Sequence, residues 1–175
     1  INNAGFGYVG LFHEQDWARN EAMIRVNVVA LAALTRLFAP EMATRGSGRI
    51  LNVASMAGFL PGPLQAVYYA SKAFVVSFSE ATNNELAGTG VTVTALCPGP
   101  VETEFFEQAN LKHVRGFART ISARAVAQAG YDAMCKGKTI IVPGIVNKVI
   151  THLLLRLAPR KQATAISRAM MEQKA

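Results

Sequence analysis

Apolar positions along this chain fall into two kinds of run, and the alternation between them predicts the architecture. Between residues 16 and 45, apolar side chains recur at helical spacing through Trp17, Met23, Val26, Ala30, Leu34 and Leu37, with Ile24, Val28 and Leu31 on the other side. A helix apolar on nearly all sides is expected to be covered on both flanks. The run from Arg49 to Ser55 then reads as a short buried strand, and Met56-Ala-Gly-Phe-Leu-Pro-Gly-Pro as a loop. From 63 to 87 the helical period returns in Val67, Ala70, Phe74 and Phe78, with Pro63 near the start and Gly88 just past the end. Val91-Thr-Val-Thr-Ala-Leu is a second strand that stops at Pro98-Gly99. Ser122 is placed to cap a helix through Met134, and Thr139-Ile-Ile-Val-Pro supplies a third strand. Strands alternating with helices predict a doubly wound α/β fold with a parallel sheet.

Composition narrows the partners more than the fold. The 175 residues are 51% hydrophobic, enough for one core and far from a disordered composition. The net charge of +7 raises nucleic acid as a partner, but the basic residues are scattered, with no aromatic-interleaved patch. Cys97 and Cys135 have no Cys-x-x-Cys partner, and His13, His113 and His152 are dispersed, so neither zinc nor a disulfide framework is expected. A reducing cytoplasm is the expected location. Much of the basic excess falls late, in Lys148, Arg156, Arg160, Lys161, Arg168 and Lys174. Over 145–158, from Ile145 to Ala158, basic Lys148, His152 and Arg156 recur every four residues, opposite Val149, Ile150, Leu153, Leu154 and Leu157. That amphipathic pattern suits docking on a partner subunit or on residues 102–119, or lying on an anionic membrane surface, and it is too short to span a bilayer. The pattern divides the chain into an α/β part, 1–144, and a basic amphipathic C-terminal extension, 145–175.

Candidate chemistry lies in the second helix and the strand before it. Tyr68 and Lys72 stand one helical turn apart and share a face. A phenol of pKa about 10 holds its proton tightly at neutral pH, and a nearby cation favours the phenolate, so Lys72 is expected to activate Tyr68. Ser55 ends the first strand, at the sheet edge where open α/β folds bind ligands. Its hydroxyl can bond a substrate oxygen while Tyr68 exchanges the proton.

With these residues in place, the chain resembles the short-chain dehydrogenase/reductase family. Asn2-Asn3-Ala4-Gly5 matches the family's signature after its fourth strand; Asn27, Ser55, Tyr68 and Lys72 match its four catalytic positions. Cys97-Pro-Gly-Pro-Val-Glu-Thr103 matches the turn that holds the nicotinamide end of the cofactor. The resemblance implies a ketone or aldehyde interconverted with its alcohol, by hydride transfer with NADP or alternatively NAD. It makes Tyr68 the general acid/base, Ser55 the group that steadies the substrate oxygen, Lys72 also a binder of the nicotinamide ribose, and Asn27 the holder of a relaying water. Backbone at Ala4, Gly5, Pro98, Gly99 and Val101 is implied to meet cofactor, together with the Thr103 hydroxyl; Asn3 is implied to stabilise the sheet centre and line the groove. Pairing of the two long helices implies a homodimer or homotetramer.

The same comparison implies a missing part. Gly5-Phe-Gly-Tyr-Val-Gly10 mimics a dinucleotide fingerprint but has no strand before it, so it reads as a loop, and a Gly-rich phosphate turn is not found. The chain is expected to be the C-terminal part of a Rossmann fold, truncated before its fourth strand. Residues 102–119, with Phe105, Phe106, Leu111 and Phe117, take the substrate-lid position, faced by Met56, Phe59 and Leu64, which suggests a bulky or lipophilic carbonyl. Two other functions compete with this one: an inactive or non-enzymatic subunit of the same fold, and, less favoured, an extended-family epimerase or dehydratase.

Overall fold

The computed structural model describes residues 1–101, 120–151 and 159–172. Asp16 opens the first long helix, accepting a hydrogen bond from the Ala18 N–H at 3.0 Å, as an N-cap does. Helix α1, Trp17–Thr44, is α-helical at both ends and wound as a π segment over Arg25–Ala30. Its inner face buries Asn20, Met23, Asn27, Leu31 and Thr35. By length and a mean hydropathy of 1.6 the helix could cross a bilayer. Buried asparagines bonded to protein identify it instead as a core helix. Cover comes from one side only: Val29, Leu34, Leu37 and Phe38 are 54%, 42%, 66% and 50% exposed. The apolar outer face that the sequence predicts to be buried is therefore bare in the single chain.

Three parallel strands follow, β1 (Gly48–Val53), β2 (Val91–Leu96) and β3 (Ile140–Ile141), in the order β1-β2-β3. Their register pairs Gly48 with Val91 through Val53 with Leu96, and Ala95 with Ile140. On the free side of β1, Asn2 bridges Asn52 in parallel; its N–H donates to the Leu51 carbonyl at 2.8 Å and its carbonyl accepts from Val53 at 2.9 Å. That bridge delivers Asn3, Ala4 and Gly5 to the carboxyl edge of the sheet.

Both faces of the sheet are covered, because successive strand residues point to opposite sides. Ala95 and Cys97 pack with Leu31, Val75 and Val76 of α1 and helix α2 (Ala66–Glu85). Leu96, between them, packs with Leu51, Val126 and Met134 against helix α3 (Ala123–Cys135). Ser122 caps α3 by accepting from Ala125 N–H at 3.3 Å. Helix α2 starts later than its pattern suggests because Leu64 sits at φ 68, outside the helical region. Helices α4 (Ile145–Val149) and α5 (Arg160–Met171) complete the described chain, the latter burying Ala163, Ser167 and Met171 at four-residue intervals. The fold is a Rossmann-like α/β arrangement, as predicted.

Candidate active site

Ser55 leaves β1 in an extended conformation, and its Oγ accepts from the Ala57 N–H at 3.1 Å, capping the short turn Met56–Phe59. Gly58 in that turn lies against α2; a Cβ there would come within 2.7 Å of the Lys72 carbonyl. The close approach brings Ser55 to the first turn of α2, where its hydroxyl hydrogen-bonds the Tyr68 phenol. One turn further, Lys72 Nζ donates to the Val53 carbonyl at 2.8 Å and lies 5.8 Å from the Tyr68 ring centre. Both side chains are buried, 8% and 5% exposed.

Burial dominates their titration, against the expectation drawn from spacing. Loss of water pushes the Tyr68 phenol up to about 12, with the Ser55 hydrogen bond pulling the other way. The same loss pulls the Lys72 ammonium down from 10.5 to about 8. In this arrangement Tyr68 is a fully protonated donor rather than a standing phenolate. The one-turn spacing reports proximity; it does not report how dry the site is.

Asn27 joins the constellation from behind. Its Nδ2 donates to the Phe6 carbonyl at 3.0 Å and to Ser71 Oγ at 3.1 Å, while its Oδ1 accepts from Phe6 N–H at 3.1 Å. Ser71 Oγ passes the link to the Tyr68 carbonyl at 2.7 Å. Asn27 thus fastens the loop after Gly5 to α2, and the π turn in α1 is where it leaves the helix to do so. Gly5 lies between the two sites: a Cβ there would be 3.0 Å from Asn27 Oδ1 and 3.4 Å from Lys72 Nζ.

A cleft of about 770 Å³ collects these groups. Asn3, Gly5, Ser55, Tyr68, Lys72, Pro98, Gly99 and Val101 line it; Asn27 stands behind them, and Ala4 is exposed beside it. The Pro98-Gly99 turn is tied down by Met56 N–H to the Pro98 carbonyl at 2.9 Å and by Ile121 N–H to the Pro100 carbonyl at 3.1 Å. Thr103 and the lid candidates Phe105, Phe106, Leu111 and Phe117 lie outside the described residues, as do 152–158 of the amphipathic segment. Met56 lines the cleft as expected; Phe59, like Met56, packs half-buried against the core cluster of α1, α2 and β2, and neither Phe59 nor Leu64 lines the cleft.

Some participants were not visible in the sequence. Asn2, rather than Asn3, ties the sheet centre: its Nδ2 donates to Asn52 Oδ1 at 2.8 Å and to Thr35 Oγ1 at 3.2 Å. Asn52 Nδ2 continues to Ser79 Oγ at 2.9 Å. A buried amide between the apolar Ile50-Leu51 and Val53 is the available signal for Asn52. The C-terminal extension also reaches the site, since Ile150, Ile166, Met170 and Met171 line the cleft. Its Ser167 is buried next to Tyr69, whose phenol is pushed up by burial.

The family model for short chain dehydrogenases matches residues 1–113. This chain belongs to the short chain dehydrogenase family. Among curated relatives, the ketoacyl reductase HetN of Nostoc sp. is 38% identical over 158 residues, spanning 90% of this chain and 54% of that protein. Two solved structures share the fold. A short-chain dehydrogenase from Sphingobium yanoikuyae in complex with NADPH superposes with a TM-score of 0.77 at 29% identity, over 89% of this chain and 58% of that one. A short chain dehydrogenase/reductase from Burkholderia phymatum in complex with NAD gives 0.76 at 26%, over 99% and 68%. The dehydrogenase chain described here thus spans little more than half the length of HetN.

Proposed function

We propose that this chain carries the proton-transfer half of a nicotinamide-dependent carbonyl reductase, with NADP as cofactor and NAD as the alternative. One observation carries the reading: a buried, protonated Tyr68 bonded to Ser55, with Lys72 one turn away, in the cleft bounded by the Pro98-Gly99 turn. The residues suit a nicotinamide nucleotide. Lys72 spends one of its three donors on the Val53 carbonyl and keeps two for ribose hydroxyls. Gly5 and Gly99 present backbone without side chains beside it. When bound, the cofactor supplies the hydride that adds to the carbonyl carbon.

The chain's own residues handle the oxygen. Ser55 donates to the substrate carbonyl oxygen and holds it near the phenol. Tyr68 gives its proton to that oxygen as negative charge develops, and its high pKa keeps the donor loaded at neutral pH. Lys72, titrating near 8 and 5.8 Å from the Tyr68 ring centre, is the cation that would return a proton to the phenolate left behind. Asn27 fixes the loop through which a water would relay protons to Lys72.

The cleft wall is apolar at Met56, Leu60, Ile166 and Met170, which favours a lipophilic ketone; the name of the ketoacyl reductase HetN points to the ketoacyl class, tried here as 3-oxoacyl thioesters. Pairing of bare α1 faces would make a homodimer or homotetramer. Exposed Ile145, Val146 and Val149 around Lys148 support a peripheral membrane contact, checked by co-sedimentation with anionic vesicles. The reaction is tested with the intact protein, following NADPH oxidation over 3-oxoacyl thioesters and small polar ketones. Tyr68→Phe is expected to lower kcat by about 10²–10⁴-fold. Turnover that survives Tyr68→Phe would remove the basis of the assignment, and a preference for small polar ketones would remove the substrate class.

A further inference from the structure

Gly99, in the turn ending at Val101, is closed in from two sides. A methyl group on its Cα would lie 2.6 Å from Asn147 Nδ2 and 3.1 Å from Met56 Sδ. Met56 belongs to the strand-end turn and already holds Pro98 through its backbone. Asn147 arrives separately, from α4 beyond β3. Its Nδ2 donates to the Pro143 carbonyl at 3.1 Å, so the amide is aimed by the loop that leaves β3. That loop is fixed in turn by Cys97 N–H to the Ile141 carbonyl at 2.8 Å, and by Gly144 at φ +88, where a Cβ would meet Ile121 Cδ1 at 2.9 Å. Asn147 itself does not line the cleft.

We infer that Asn147 is a positioning residue: it braces Gly99 against Met56 and so sets how far the Pro98–Val101 turn stands from Tyr68 and Ser55. The inference rests on the proposed reaction, in which this turn meets the nicotinamide end. A turn of prolines and glycine has almost no side chain with which to hold itself. The opposing amide and thioether supply the missing walls, and a displacement near 1 Å at such a turn is enough to slow a transfer that depends on alignment by about 10²-fold.

A double-mutant cycle on the intact protein tests it. Asn147→Ala, Gly99→Ala and the double variant are compared for kcat and KM in NADPH oxidation, for the primary isotope effect with NADPH deuterated at the transferred position, for cofactor affinity by fluorescence, and for Tm. Asn147→Ala is expected to lower kcat about 10-fold and to raise the isotope effect, with substrate KM and Tm little changed. Gly99→Ala is expected to lose more, because its methyl drives the turn away from Asn147. In the double variant the space left by the amide accepts that methyl, so kcat should exceed that of Gly99→Ala alone. Wild-type kcat and isotope effect in Asn147→Ala, or losses that simply multiply in the double variant, overturn the inference while leaving the reaction standing. A wild-type protein that binds no nicotinamide cofactor overturns both.

Discussion

Replacing Lys72 by methionine should make the cofactor-free protein more stable while destroying its turnover. Methionine fills nearly the same volume without a charge, and Lys72 is 5% exposed. Burial pulls its ammonium from 10.5 to about 8, which at roughly 1.4 kcal/mol per pH unit is a cost of about 3 kcal/mol for holding the charge in the folded state at pH 7. Removing the ammonium also strips the Val53 carbonyl of its donor, returning about 1–2 kcal/mol of that gain. The net expectation is about 1–2 kcal/mol, or a Tm higher by about 2–8 °C. The pH dependence separates this cause from generic packing. Below pH 8 folded and unfolded chains both carry the proton and the cost is fully present. As pH rises through about 8 the folded state sheds it while the unfolded state keeps it up to 10.5, so the wild type gains stability. Tyr68 and Cys97, both raised to about 12, work in the opposite sense at higher pH, so the useful window is narrow. Urea titrations at pH 7.5 and 9 should show the variant's advantage shrinking by about 1 kcal/mol. A variant less stable than wild type at pH 7.5, or an advantage that does not change with pH, refutes the reasoning.

Three other outcomes follow from the same geometry. Gly5→Ala puts a methyl 3.0 Å from Asn27 Oδ1 and 3.4 Å from Lys72 Nζ, and steady-state kinetics should show about a 10-fold loss in kcat with the fold intact. Asn52→Leu removes both side-chain hydrogen bonds that Asn52 makes, leaving Asn2 bonded to Thr35 and Ser79 to the Val75 carbonyl, which should cost about 1–3 kcal/mol in urea unfolding. Leu37→Arg with Phe38→Glu places charge on the bare face of α1, and sedimentation velocity should report a smaller species with its near-neutral stability retained.

How much of this was legible in the sequence depends on the range of the interaction. β2 was readable to the residue, because alternation and the Pro-Gly stop are local signals. Ser55, Tyr68 and Lys72 were readable as a group because one spacing is a helical turn and the other follows a strand end. Asn2 was not separable from Asn3, since only the register against β1 decides which side chain enters the sheet. Ser71, between the tyrosine and the lysine, has no spacing that singles it out, yet its hydroxyl is the link from Asn27. The four-residue spacing of Ala163, Ser167 and Met171 marks a buried face on α5, but what that face meets is decided by contacts far away in the chain. The Tyr68 shift runs opposite to what the Lys72 spacing alone predicts, because dryness is a property of the assembled site.

The π segment in α1 has a mechanical consequence. An α-helix turns roughly 100° per residue, so one extra residue between Arg25 and Ala30 rotates everything after it by that amount relative to everything before. Asn20 and Met23 are set by the half before the bulge, and Leu37 and Phe38 by the half after it. The bulge is therefore a phase gear: it lets one rod aim an amide at the loop after Gly5 and, further along, an oily strip outward. Deleting a single residue there would leave composition and length almost untouched and turn that strip by a quarter of the circumference.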